Sequence, residues 1–235
     1  MIELYGFASV NVMKIRIMLE ELDLNYEYRA INVFAAEQFT EEFTNLNPNN
    51  RVPVIIDTDG PEGPITIFES GAILIYLAQK YGRFLSNKPA DLYSTLQWLM
   101  FQMASVGPMI GQLNHFLRSA PPGNDYAHGR YATEAKRIFD VLERRLAQSE
   151  FLGCSDYSIA DIATFPWVRL YDVNKIEISH LPNVNRWLNV LSARPAVAKV
   201  LDYWPALLAA DQERKDTAKE VDLDRLFGRG KFLRA

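Results

Sequence analysis

Val52, Pro53, Glu69 and Ser70 are the residues whose types and spacing first suggest chemistry. All four lie between Asn47 and Tyr76, in NPNNRVPVIIDTDGPEGPITIFESGAILIY. Val54, Ile55 and Ile56 form a short apolar run that ends at Asp57 with turn residues on both sides, the pattern of a buried strand. Pro53 stands at the first position, where a missing N–H costs no ladder bond. The Val52–Pro53 peptide is a candidate for the cis form. Read as an edge strand, this element leaves the N–H and C=O of Val52 facing outward, able to pair with an extended peptide. Ile65–Phe68 reads as another strand. Ser70 then precedes Ile73, Tyr76, Leu77 and Tyr81 at helical spacing, which makes it the expected N-cap, with Gly82 as the stop. The free amides and positive dipole potential of a capped helix start suit a carboxylate, and Glu69 beside it suits an ammonium. A short peptide with an α-amino-acid head would satisfy these features together. The plainer alternative is a strand–helix unit that binds nothing.

These groups need a scaffold, and the flanking chain supplies one. Ile2 to Tyr5 alternate as a first strand. Residues 6–11 form a turn into a helix whose Ile15, Met18, Leu19 and Leu22 make one apolar face. Residues 26–33 read as a second strand, and the βαβ start implies two parallel strands with a right-handed crossover. Residues 37–46 read as a short acidic helix. With the Asn47–Tyr76 stretch, the order becomes β-α-β-α-β-β-α, a thioredoxin-like α/β layout with helices on both faces of a small sheet.

Residues 83–90, RFLSNKPA, have no periodicity and read as a linker. The chain beyond the linker is helical in pattern. Residues 92–117 form one long pattern with a kink expected near Pro108. SAPPGND is a break, and residues 126–148, 158–173, 183–193 and 197–208 complete an all-α region. The expected segmentation is residues 1–82, linker 83–90, helical domain 91–208 and a charged tail, 209–235. By composition the tail could be disordered. Phe227, Phe232 and Leu233 could instead dock it, over a neighbouring cleft or as an ordered extension. Ser158 and Asp161 form an S-x-x-D capping box, flanked by Tyr157 and Ile162 as a hydrophobic staple.

Of the 235 residues, 49% are apolar, enough for a core, and the net charge of -4 with a pI near 5.5 gives no reason to expect nucleic acid. Glu3 stands where a signal peptide needs a basic region, and no apolar run is long enough to span a bilayer. A cytoplasmic location is the expectation. Cys154 is the only cysteine, so the chain has no internal disulfide and no CxxC. It reads as a small structural side chain. His115 and His128 lack ligand partners at metal spacing, and no metal is assigned.

NxxxVPV followed by ESGAI, after a strand and a helix, resembles the glutathione site of the cytosolic glutathione transferase superfamily. NVMKI, EQF, NPNNRVPVI, FESGAILIYLA, LQWLMFQ, GPMIGQLNHF and YSIADIATFPWV run in order. Together they resemble the bacterial Nu class, related to the yeast prion nitrogen regulator, from Met1 to about Pro205. The resemblance implies glutathione as co-substrate and a thiol-directed donor in the turn after the first strand. Tyr5 belongs to the strand, so Ser9 and Asn11 are the candidates. Ser9 stands where the class has threonine and keeps the hydroxyl, and Asn11 matches outright. Either could instead merely cap the first helix. Gln38, Val52, Pro53, Glu69, Ser70 and Arg130 match the glutathione-binding positions.

Disulfide reduction with glutathione is the implied activity. Without CxxC, both thiols must come from two glutathione molecules in an open site between the domains. Peroxide reduction or conjugation to an electrophile is the alternative, and a non-catalytic binding scaffold is a third. The second substrate would meet residues near Met103, Pro108, Met109 and Tyr171, which could equally be core. Family members dimerise, so a homodimer is expected.

Overall fold

The computed structural model describes residues 1–232, so Leu233, one of the candidate docking residues, lies outside the described residues. By its contacts the chain divides into two compact units: Met1–Ile73 with the chain from Ala198 onward, and Leu74–Val197.

The first unit is built on a four-stranded sheet in the order β2-β1-β3-β4. Strand β1 (Ile2–Gly6) runs parallel to β2 (Tyr26–Ala30), with helix α1 (Val10–Glu21) as the crossover. Strand β3 (Val54–Asp57) is antiparallel to both β1 and β4 (Ile65–Phe68). The expectation that β3 is an edge strand is therefore corrected. It is internal because β4 pairs its other side, residue for residue from Val54↔Phe68 to Asp57↔Ile65. Its near-unbroken apolar run is the signature of a strand covered on both sides. The expected acidic helix over 37–46 is a 3₁₀ turn, Glu37–Phe39, followed by α2 (Glu41–Leu46), capped by Thr40. A further 3₁₀ turn, Val33–Ala35, stands where the sequence pattern suggested the end of β2.

Helix α1 is buried far beyond the expected single face: Val12, Met13, Lys14, Ile15, Arg16, Ile17, Met18 and Leu19 are all buried. A helix apolar nearly all round is a core helix, and its two basic residues go inside with it. Helix α9 (Pro195–Asp216), from Ala198 onward, packs with this unit. Lys199 pairs with Glu20 at 2.6 Å, and Tyr203 joins Tyr26 and Tyr28 around the Arg16 guanidinium, which lies 3.9 Å from the Tyr28 ring centroid. Among the described residues the tail is largely helical, unlike its disorder-like composition: α10 (Glu220–Phe227) packs on the Val33–Ala35 turn, and Arg225 lies 4.0 Å over the Phe39 ring.

In the second unit the long expected helix is α4 (Pro89–Phe101) and α5 (Gly107–Arg118), joined by a π-helical segment, Gln102–Val106. Pro108 has no N–H to donate one turn back, and the widened turn before it absorbs that loss. Helices α6 (Asp125–Leu146), α7 (Ile159–Val168) and α8 (Pro182–Ser192) pack behind, with Ile138, Phe139, Leu142, Ile162, Phe165, Val184 and Trp187 buried. Their keystone is Asp161. One of its oxygens accepts from the Leu152 amide at 2.8 Å and the Trp187 indole at 2.9 Å, the other from the Ser158 amide and hydroxyl. Burial pushes this carboxyl up from the usual carboxylate range, and the four donors oppose that rise. Residues 83–90 are tied down at Phe84, whose carbonyl accepts from the Ile159 amide and whose ring packs edge-on against Tyr157.

Candidate active site

The turn from β1 into α1 is fixed from several sides. Gly6 is required there, since a Cβ would stand 2.6 Å from a Val12 methyl. The Tyr28 hydroxyl donates to the Gly6 carbonyl at 2.8 Å. The Ala8 amide donates to Asp211, on α9, at 2.6 Å. Ser9 is the N-cap of α1: its Oγ accepts from the Val12 amide at 3.3 Å. Among the described residues its O–H donates to no partner, so capping leaves the proton available. Asn11 follows in the first turn, half-buried. A hydroxyl and a carboxamide thus stand together at the positive end of a buried helix. Tyr5 turns elsewhere and donates to Glu3 at 2.9 Å.

The Val52–Pro53 peptide is cis. Val52 precedes β3, outside the ladder, and no described residue pairs its N–H or C=O. The loop before it is held by its asparagines: Asn47 donates to the Arg51 carbonyl at 2.7 Å, and Asn50 to the Gln38 carbonyl at 2.8 Å. Gln38 is 1% exposed, and neither its side-chain oxygen nor its nitrogen has a hydrogen-bond partner. A buried amide without partners is costly unless a ligand or water completes it.

Helix α3 (Ser70–Tyr81) begins one residue earlier than expected. The expectation that Ser70 is the N-cap is corrected: Glu69 holds that place, in a left-handed conformation at φ 69°, and its carbonyl accepts from the Ile73 amide. Ser70 is the first helical residue and is buried, and its Oγ accepts from Lys14 at 3.2 Å. Glu69 itself is exposed, and Asn49 donates to its carboxylate at 3.4 Å.

Ser9, Asn11, Gln38, Val52, Pro53, Glu69 and Ser70 all belong to the first unit. Arg130 belongs to the second, on α6, where it pairs with Glu134 at 3.6 Å. Met103, Met109 and Tyr171 are half-buried and Pro108 is exposed, so none is fully core. Cys154 is half-buried in a loop of the second unit, its thiol 3.6 Å from the Asp156 carbonyl. Among the described residues no cluster of His, Cys, Asp and Glu could hold a metal, and no helix is long and apolar enough to cross a membrane.

Sequence reasoning missed Lys14, Tyr28 and Asp211. A signal existed for Lys14, which with Arg16 interrupts an α1 that is otherwise apolar from Val12 to Leu19. Tyr28 and Asp211 act on the turn through tertiary contacts that no local pattern announces.

Comparison with known proteins decides the family. The description "Glutathione S-transferase, N-terminal domain" matches residues 1–79, and "Glutathione S-transferase, C-terminal domain" matches residues 125–202. The "Disulfide-bond oxidoreductase YfcG" of Escherichia coli (strain K12) is 42% identical over 203 residues, 86% of this chain and 94% of the relative. The chain belongs to the glutathione S-transferase family. A glutathione transferase from Burkholderia graminis, solved with two glutathione molecules per subunit, is 46% identical, with a TM-score of 0.80 over 86% of this chain and 87% of that one. A Pseudomonas putida glutathione transferase, solved with one glutathione disulfide per subunit, is 41% identical, with a TM-score of 0.80 over 85% of this chain and 90% of that one.

Proposed function

We propose that this chain is a Nu-type, glutathione-dependent disulfide reductase that uses two glutathione thiols and no thiol of its own. The observation that carries the reading is the α1 turn, where Ser9 and Asn11 offer donors at a helix N-terminus while the chain's single cysteine lies in a loop of the other unit. The relative named a disulfide-bond oxidoreductase and the relatives holding two glutathiones or their disulfide support it.

In the proposed cycle the head of glutathione occupies the α3 start. Its ammonium meets Glu69 and its carboxylate meets Ser70 and the free amides. Its backbone pairs with Val52 beside Pro53, and Gln38 completes its hydrogen bonds on the ligand. The thiol, with an ordinary pKa of about 8.5, is held as thiolate by Asn11, Ser9 and the α1 dipole. It attacks one sulfur of the disulfide and the other leaves as a thiolate that takes up a proton. A second glutathione thiolate attacks the glutathione sulfur of the mixed disulfide, releasing the second thiol and forming glutathione disulfide. We further propose a cytoplasmic homodimer, which sedimentation would detect as a doubled mass.

Steady-state rates with glutathione and a model disulfide, a peroxide or a nitroaromatic electrophile test the reading. Turnover of the disulfide with one glutathione disulfide formed per substrate is expected. Conjugation of the electrophile without disulfide turnover would replace it with a conjugating enzyme. No turnover of any of the three would leave a binding scaffold.

A further inference from the structure

Lys14 is 1% exposed on α1, a helix whose other buried neighbours are mostly apolar, and its Nζ donates to Ser70 Oγ at 3.2 Å. A buried lysine is expensive, because an ammonium loses its hydration there. Replacement by an aliphatic residue of the same length would remove that cost, so the position calls for a role. We propose that Lys14 is a positioning residue for the carboxylate of the glutathione head: its ammonium occupies a lone pair of Ser70 Oγ, turning the hydroxyl proton toward the ligand, and adds a full positive charge behind the α3 N-terminus. The inference rests on the reading of that helix start as the glutathione head site.

Donors and acceptors decide which way the Ser70 proton points. An ammonium has three donors and no acceptor. While Lys14 is charged, Ser70 can only accept from it and must spend its own proton on another group. A neutral amine can accept, and the Ser70 proton can then turn inward, away from the ligand carboxylate. Charge acts in the same sense, since the amides of the first helical turn carry only about half a unit. The other ionisable groups of these elements are Glu3 and Tyr5 on β1, Arg16, Glu20 and Glu21 on α1, Asp57 on β3, and Tyr76, Lys80 and Tyr81 on α3. The group whose charge acts on Lys14 is Glu69, at the β4–α3 junction. Burial, opposed by Glu69, brings Lys14 down to about 7. Its charge therefore switches near neutrality, and an anionic ligand draws a proton onto it.

S-methylglutathione, which has no thiol to titrate, is the probe. Calorimetry of the intact protein in buffers of different ionisation enthalpy, from about pH 6 to about pH 8, should show proton uptake on binding and weaker affinity as pH rises. Lys14→Met, which keeps the length and removes the charge, should bind roughly ten- to a hundredfold more weakly at the low end, the worth of a charge-assisted hydrogen bond. It should also lose the pH slope in excess of the ligand's own titration. Circular dichroism checks its fold, and the proton uptake needs no variant. Equal affinity of Lys14→Met and wild type at about pH 6, or binding by wild type without proton uptake at about pH 8, overturns the role of Lys14. Absence of S-methylglutathione binding by wild type at every pH overturns the head site itself, and the inference with it.

Discussion

Removing the Asp161 carboxylate should unfold the helical unit, whereas removing one of its donors should only weaken it. Asp161 is wholly buried and accepts four hydrogen bonds, from the Leu152 amide, the Trp187 indole, and the Ser158 amide and hydroxyl. Ser158→Ala deletes one donor and leaves the other three in place. Loss of a capping side chain typically costs about 0.5–2 kcal/mol, which in a chain of this size lowers Tm by roughly 1–8 °C. Asp161→Ala is different in kind. It leaves buried donors from the 149–158 loop, the α7 start and α8 without an acceptor, each costing about 1–3 kcal/mol. Three such groups alone reach roughly 3–9 kcal/mol, comparable with the whole stability of a typical domain. Urea unfolding followed by circular dichroism measures both variants, with Asp161→Asn as a third that keeps the shape. Glutathione affinity of the folded Ser158→Ala protein should equal that of wild type. If Asp161→Ala costs no more than Ser158→Ala, the carboxylate does not join these three segments. If Ser158→Ala lowers turnover at unchanged stability, the box serves the reaction.

Single contacts carry further expected outcomes. Glu69→Ala and Ser70→Ala should each weaken glutathione binding by roughly 1.5–3 kcal/mol, the range for a charge-assisted hydrogen bond, and calorimetry with unchanged affinity in both would discard the head-group placement. Asn11→Ala should lower disulfide turnover about ten- to a thousandfold, by analogy with oxyanion donors, more than Ser9→Ala does, with KM for glutathione moving less than kcat; the reverse order would make Ser9 the main donor. Lys14 stands at about 7 in the fold against about 10.4 when unfolded, so the unfolded chain holds more protons between those values. Wild-type stability should therefore rise with pH across that window relative to Lys14→Met, and parallel urea midpoints for the two proteins would show that burial does not depress this amine.

The sheet, its parallel first pair and the order of helices were legible because period-two and period-3.6 patterns record which face meets the core. The Ser9 cap and the Gly82 stop were legible because caps and helix ends restrict residue type. What escaped was set by distant partners. The internal place of β3 depends on β4, which pairs with it across a turn whose length any hairpin could share. The one-residue shift at α3 arises because Glu69, not glycine, takes the left-handed conformation before the helix. Where the tail docks escaped because its partners, Phe39 and the Val33–Ala35 turn, lie far away in sequence. Lys14 escaped because charged residues are read as solvent-facing, and only the burial of α1 on nearly every side shows otherwise.

In the proposed mechanism both electrons for disulfide reduction come from glutathione and none from the protein. Cys154→Ser tests this most directly, because Cys154 is the only thiol in the chain. The variant and wild type would be compared for turnover of a model disulfide with glutathione, counting glutathione disulfide formed. Equal rates and one glutathione disulfide per substrate reduced are the expected result. Loss of turnover in folded Cys154→Ser protein would mean that the chain supplies a thiol of its own, and the two-glutathione mechanism would be wrong.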